Sequence, residues 1–355
     1  MSEKFSTRMG DGERVWMEAA EIRADIKDGT ADAAERAGIP ELTKDEQDYM
    51  FEIITDPCRT VSVKQGAEVT ATDDGCTMAF YAGQDSGGNG TPLSRMQAVL
   101  MYERACAACT TNIGHTDYSI KPVKAIINSE ANDYYNISML STAPLFYGAQ
   151  PNMGLYFQPD GPCPNAAELM PLGKIDEARK TQEDASNLLK EDILFVVRRL
   201  AEVGLEGFNL DTCASAGDAD FLAVLQATEQ LKKELPDLPI IVGTSGEFVL
   251  GMHGQVTYKG QQLAGMYGHE QAKIAEAAGA DIFGLAVNTS TNESVQWNLA
   301  RATTFLKATS QACSIPVHPN VGMGVCGIPM METPPVDAVT RVSKTLVEIG
   351  QADGL

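Results

Sequence analysis

The sequence predicts an α/β protein built on a parallel sheet, and three observations lead there. From about residue 120, short β-rich apolar runs alternate with longer segments of helical spacing, the pattern of parallel strands joined by crossover helices. A glycine turn recurs where the predicted helices end and the next run begins. Acidic and amide residues stand directly after the runs, where ligands bind in parallel α/β sheets.

Taken in order, residues 1–95 read as an N-terminal helical and irregular layer. Acidic helical stretches, Val15–Asp28 and Lys44–Ile54, alternate there with Gly- and Asp-rich connections. The segment Ala82–Pro92 holds too many turn formers for a strand or helix, and it delivers the chain to a helix predicted over Leu93–Ala108. Residues 96–355 form the second region. Its predicted strands are Val123–Asn128, Pro144–Gly148, Gly207–Asp211, Pro239–Thr244, Asp281–Val287 and Ile315–Asn320. Helices are expected over Asp184–Val203, Ala219–Lys233, His269–Ala278 and Val295–Ala312, with Gly204 and Gly279 at C-cap positions.

An internal repeat supports this organisation. Glu202-Val-Gly-Leu-Glu-Gly-Phe208 and Glu276-Ala-Ala-Gly-Ala-Asp-Ile282 share one logic, in which a helix ends, glycine turns and a strand begins. A third copy, Glu348-Ile-Gly-Gln-Ala-Asp-Gly-Leu355, follows a helix expected over Pro335–Ile349. A terminus there leaves a sheet edge with unpaired backbone groups, so the chain reads as interrupted; a frayed end on an open α/β sheet is the alternative.

Composition narrows the function classes. Apolar residues make up 44% of the chain, and no uncharged apolar run reaches the roughly 18 residues that suggest a membrane span. The first ten residues lack the apolar stretch of a signal peptide, and eight scattered cysteines suit a reducing compartment, so a cytoplasmic protein is expected. With 27 Lys plus Arg against 48 Asp plus Glu, the net charge of -21 repels nucleic acid and anionic lipid.

The candidate site residues lie at the ends of the predicted strands in turn: Glu130; Gln150 and Asn152; Asp211 and Thr212; Ser245 and Glu247; Asn288 and Thr289; and, in the sixth run itself, His318 and Asn320. Such a ring could hold a small cation or amine and supply a carboxylate for proton transfer. Helix capping is an equal reading for Asp211 and Ser245, whereas Glu247 in its Gly-rich loop has less structural reason to be there. No strand end carries a lysine, which argues against Schiff-base aldolase chemistry. The four histidines show no i, i+4 pair, so no metal site is expected. Cys106-Ala-Ala-Cys109 lacks a second pair nearby and reads as two buried thiols on one helix. Gly322-Met-Gly-Val-Cys-Gly327 matches a dinucleotide fingerprint, but Pro329, Pro334 and Pro335 preclude the immediate helix a pyrophosphate needs, leaving a flexible loop over a pocket mouth.

Longer blocks carry a resemblance. Arg8-Met-Gly-Asp-Gly-Glu-Arg14, Gly114–Lys124 and Phe146–Tyr156 resemble the dimethylamine:corrinoid methyltransferases of methylamine-using microbes. So do Gly246–Gly254, Trp297-Asn-Leu-Ala-Arg301 and Gly322–Arg341, collinear from end to end of the chain.

The resemblance implies a (β/α)8 TIM-type barrel, here incomplete at the C-terminus, with a mostly helical N-terminal extension. It implies a catalytic pyrrolysine, encoded by an in-frame amber codon, directly after Leu355. In this family the imine of pyrrolysine is thought to take up dimethylamine and present a methyl group to the Co(I) corrinoid of a cognate corrinoid protein, as in methanogenesis from methylamines. Asp211, Glu247 and Asn288 are then the expected catalytic partners of the residue after Leu355, and Gln150, Asn152, His318 and Asn320 the substrate-binding set. No Asp-x-His-x-x-Gly is present to supply a lower cobalt ligand, so the chain is expected to bind no cofactor itself and to receive the corrinoid on its partner. A homo-oligomer is expected, and the chain ending at Leu355 is expected to be inactive alone. The alternative is a non-catalytic fragment that binds the corrinoid protein or full-length subunits.

Overall fold

Alternation along Gly207–Cys213 sets Phe208 and Leu210 against Asn209, and such a period-two pattern suits a strand with one apolar and one mixed face. In the computed structural model, which describes residues 3–69, 77–80, 91–94, 146–148, 151–251, 255–331 and 334–355, this segment is the second strand from one edge of a five-stranded sheet. Val123–Asn128, Cys106, Cys109, Glu130 and Gln150 lie outside the described residues.

The sheet comprises β5 (Phe146–Gly148), β6 (Gly207–Cys213), β7 (Ile240–Thr244), β10 (Ile282–Leu285) and β11 (Val317–Pro319). Their spatial order, β5-β6-β7-β10-β11, is their order along the chain, so each strand is laid beside its predecessor without reversal. Parallel register joins β5 to β6, β6 to β7 and β7 to β10. Five of the six predicted strands are thereby found. Among the described residues the sheet is open, with β5 and β11 at its edges, and the closed barrel expected from the sequence is not seen there.

Contacts divide the chain into two compact units. One holds Leu145–Ala286 and Ala308–His318. Within it lie α3 (Ala166–Leu169), α4 (Ile175–Ala201), α5 (Asp218–Glu234) and α6 (Gly268–Ala278), with a short hairpin of β8 (Thr257–Tyr258) and β9 (Gln261–Gln262). Helix α4 starts well before the predicted Asp184, because Gly173 ends the preceding turn at φ 72 and Asp176 and Glu177 favour the positive end of the helix dipole. Arg198 on α4 grips Glu234 on α5 with two hydrogen bonds of 2.8 Å. The repeated glycines act as the sequence predicts: Gly204 at φ 91 and Gly279 at φ 100 turn the chain out of α4 and α6. At the amino end of the sheet, the Lys232 ammonium donates to the Pro236 and Leu238 carbonyls and to Asp281, which in turn accepts from the Ile240 amide at 2.8 Å.

The other unit holds Met1–Pro144, Val287–Lys307 and Pro319–Leu355. Its first element departs from the sequence reading: Val15–Glu18 is not helical but lies in strand β2 (Arg14–Glu18), antiparallel to β1 (Lys4–Arg8). Turn chemistry at Asp11-Gly12 is the signal, with Gly12 at φ 95 and the Met9 amide donating to the Glu13 carbonyl at 2.9 Å. Helix α1 (Ala19–Ala37) begins only after it, and α2 (Lys44–Thr55) matches the prediction, with Thr43 and Glu46 forming a capping box. The predicted helix over Leu93–Ala108 is also corrected at its start, since Leu93 and Ser94 belong to β4 (Thr91–Ser94), paired with β3 (Thr77–Phe80). Helix α7 (Val295–Ser310) runs across the division between the units, and α8 (Val336–Glu348) follows. After α8 the third glycine repeat behaves differently. The left-handed residue is Gln351, at φ 62, and Gly350 is required by space, since a Cβ there would lie 2.7 Å from Leu306 Cδ2.

The hairpin tip is anchored through its glycines. The Gly10 amide donates to the Glu293 carbonyl and the Gly10 carbonyl accepts from the Met330 amide, both at 2.7 Å. A Cβ on Gly10 would stand 2.0 Å from the Ser290 carbonyl oxygen. Arg8 meanwhile reaches Asp337 of α8 at 3.0 Å and the Gly12 carbonyl at 2.9 Å. Arg341 completes the frame from α8, donating to the Ile54, Asp56 and Cys58 carbonyls at the end of α2.

Two outcomes follow from this packing. Gly10→Ala is expected to lower stability by about 1–3 kcal/mol through overpacking against backbone, whereas Gly322→Ala, whose added methyl meets open space, changes little. Urea denaturation of both variants checks this; equal midpoints would contradict it. The second concerns acid. Burial opposes the charged forms of Asp32, Glu46, Asp337 and Glu348, yet Arg301 and Arg36, Lys307 and Thr43, Arg8, and Tyr49 and Lys344 respectively outweigh it and hold all four below ordinary carboxyl values. Depressed carboxyls stabilise the fold above their unfolded values, 3.8 for Asp and 4.5 for Glu, and that contribution is lost as pH falls through the folded ones. The melting temperature is therefore expected to hold near neutrality and drop below about pH 4.5, with a shallower drop in Arg8→Met.

Candidate functional site

In the sheet-bearing unit, Asp211, Ser245 and Glu247 lie at or just past the carboxyl ends of β6 and β7. Strand β6 continues two residues past its predicted end, so Asp211 lies within the ladder, opposite Gly243, with a register shift between Asp211 and Cys213. Gly243 in turn pairs with Gly284, placing Asp211, Gly243 and Gly284 in one row across three strands. Neither Asp211 nor Ser245 is the N-cap residue of the helix that follows it: that position is Gly217, φ 98, for α5 and Tyr267 for α6. Ser245 instead donates its amide to the Cys213 carbonyl at 3.0 Å, tying the end of β7 to that of β6.

Glu247 follows on the loop after β7 and is 9% exposed, which is unusual for a loop carboxylate. The loop is fastened on both sides of it. Val249 donates to the Met266 carbonyl at 3.0 Å and accepts from the Gly265 amide at 2.8 Å, and the Phe248 ring lies 5.8 Å from that of Tyr267. His318 on β11 is also buried, and its Cε1 stands 3.4 Å from where a Gly284 Cβ would be. Glycine at 284 therefore leaves room beside the imidazole on that face of the sheet. The opposite face meets the helices, since Leu285 Cδ1 lies 2.5 Å from a Cβ built on Gly268 of α6.

Two buried acids escaped the sequence reading. Asp218 and Asp220, on the first turn of α5, are 1% and 0% exposed. Asp220 accepts from the Ala216 amide at 3.0 Å and the Ser215 hydroxyl at 3.2 Å, folding the turn between β6 and α5. Their signal was present in Gly217-Asp-Ala-Asp220, acids placed at the positive end of a helix dipole, but the predicted helix began only at Ala219. Of the amides, Gln150 lies outside the described residues, and Asn152 is exposed and caps the turn Met153–Tyr156 by accepting from the Gly154 amide at 2.8 Å. On α6, burial pushes the half-buried His269 imidazole below its ordinary pKa, which favours the neutral ring.

In the other unit, the loops after β10 and β11 are bound together. Asn288 is exposed and forms a bridge with Val325; Thr289 donates its amide to the Gly324 carbonyl at 2.9 Å and accepts from the Gly327 amide at 3.1 Å on Oγ1. The Cys326 amide donates to the Val287 carbonyl at 2.7 Å, and the Cys326 side chain is fully buried. The segment Gly322–Gly327, expected as a flexible loop, is thus a packed turn. Among the described residues, the next helix after it is α8, which begins at Val336. Asn320 and Leu355 are half-buried. Among the described residues, no group of three His, Cys, Asp or Glu side chains gathers to hold a metal, and no helix is long and apolar enough to cross a membrane.

Comparison with known families assigns the chain to a family. The family model described as dimethylamine methyltransferase matches residues 3–355, so the protein's class is that of the methyltransferases. The chain belongs to the dimethylamine methyltransferase family. Membership implies dimethylamine methyltransferase activity in methylamine metabolism.

Proposed function

We propose that the protein moves a methyl group from dimethylamine to the Co(I) corrinoid of a partner corrinoid protein, acting in the cytoplasm as a homo-oligomer. The family match over residues 3–355 carries the reading. The strands laid down in chain order support a (β/α)8 barrel over residues 96–355 with the site at the strands' carboxyl ends, residues 1–95 being a separate N-terminal helical and irregular layer. In the family that the chain resembles, the electrophile for the amine is the imine of a pyrrolysine. The corrinoid, held by the partner, supplies the cobalt nucleophile.

The protein's own residues have two tasks. A secondary amine is a cation at neutral pH and must lose a proton before its nitrogen can attack, so a carboxylate has to accept that proton. Glu247 is our choice for it, being buried on a fastened loop. Asp211 holds the cationic nitrogen, and Asn288 offers its side-chain amide. His318, Asn320, Gln150 and Asn152 complete the substrate shell, with His318 the best placed, buried beside Gly284.

Activity tests the assignment. The protein carrying the family's pyrrolysine, given reduced corrinoid protein and dimethylamine, is expected to form monomethylamine. Glu247→Gln in that protein is expected to lower kcat by about 100- to 10,000-fold, the usual worth of a positioned proton acceptor. No monomethylamine from the unaltered protein, or full activity in Glu247→Gln, would overturn the scheme.

A further inference from the structure

Gly251, on the loop that carries Glu247, passes close to Ala264. A Cβ on Gly251 would lie 2.1 Å from the Ala264 methyl carbon, 3.3 Å from Ala264 Cα and 3.3 Å from Asp218 Oδ2. Only the absence of a side chain at 251 lets the chain pass between the Ala264 methyl and the start of α5. Gly217, just before α5, provides the same clearance on the second side, since a Cβ there would stand 3.0 Å from the Leu250 carbonyl oxygen. Between these contacts and the Ser245 anchor run the paired hydrogen bonds of Val249 with Met266 and Gly265. Glu247 therefore sits two residues from an anchor in either direction. Neither the reaction nor the carboxylate's own burial demands so many restraints on an exterior loop, where backbone is ordinarily mobile.

We propose that Gly251 and Ala264 are positioning residues for the Glu247 carboxylate. Their close approach seats the loop on the segment before α6, and the Val249 hydrogen bonds then fix the backbone on the far side of Glu247. This rests on the reading of Glu247 as the proton acceptor. The methyl at 264 is the working part: it fills the space that a side chain at 251 would occupy. Moving that methyl from one residue to the other should conserve the fit, because with glycine at 264 the nearest remaining atoms to a Cβ at 251 are the 3.3 Å contacts.

The test is a methyl swap in the full-length enzyme, assayed with dimethylamine and reduced corrinoid protein and followed by amide hydrogen exchange over residues 245–251. Gly251→Ala is expected to lower kcat by about 10- to 100-fold with KM within about twofold, as a small misplacement of a catalytic group does. It should also speed exchange at the Val249 amide by roughly tenfold. Gly251→Ala with Ala264→Gly is expected to restore both. Should Gly251→Ala fail to fold, Ala264→Gly alone introduces no clash and is expected to produce the same two changes more weakly. Wild-type kcat and exchange in either single variant, or no recovery in the double, overturns the positioning role. If exchange responds and recovers as expected while Glu247→Gln keeps full activity, the catalytic reading of Glu247 fails and the contact is only a loop anchor.

Discussion

The register of the parallel ladder is the constraint on which everything else here depends. Asn209, Leu210 and Asp211 pair in sequence with Ile241, Val242 and Gly243, and Gly243 pairs with Gly284. A slip of one residue would exchange the two faces, turning Phe208, Leu210 and Phe283, all buried, away from the helices they serve. The apolar face thus fixes the level of every strand end. The loops bearing Glu247 and the acids of α5 start from those ends, and their chemistry inherits a position set by hydrophobic packing.

Glycine serves two different purposes in this framework. At Gly204 and Gly279 it supplies positive φ where a helix must turn into a strand. At Gly10, Gly251 and Gly350 it supplies space, letting segments distant in sequence meet at backbone distance. The second use explains the opening block around Gly10 and Gly12. What looks like a loose Gly-Asp-Gly connection is a hairpin tip held by the Glu293 carbonyl and the Met330 amide. Charge reinforces the docking through Arg8 and Asp337, which lie 3.0 Å apart with both side chains at least three-quarters covered.

Much of this was legible in the residues. Strands at Gly207, Pro239, Asp281 and Ile315, and the helices between them, announce themselves by period and by glycine stops, since core-facing pattern is a local property. The β1–β2 hairpin was missed because acidic residues around Val15–Asp28 outweighed the Asp11-Gly12 turn signal. Close approach is not local, so nothing in the string marks Gly251 and Ala264 as neighbours. The site was legible only in part. Glu247 stands out as a carboxylate with little structural reason to be in a Gly-rich loop, and it is buried; Asp211 is the last residue of the predicted strand, which in fact runs on to Cys213. Asn152 proved to be doing what asparagine does before a turn, and Asn288 lies exposed in a bridge to Val325. Asp218 and Asp220 were hidden by a helix boundary drawn one residue too late.

The central claim is that carboxylates at the strand ends bind the substrate as a cation. Calorimetric titration of dimethylammonium into the full-length protein, compared with an Asp211→Asn, Glu247→Gln double variant, tests it most directly. The account predicts saturable binding that weakens by at least about tenfold in the double variant, in line with losing charge-assisted hydrogen bonds. Equal affinity in the two proteins would contradict it.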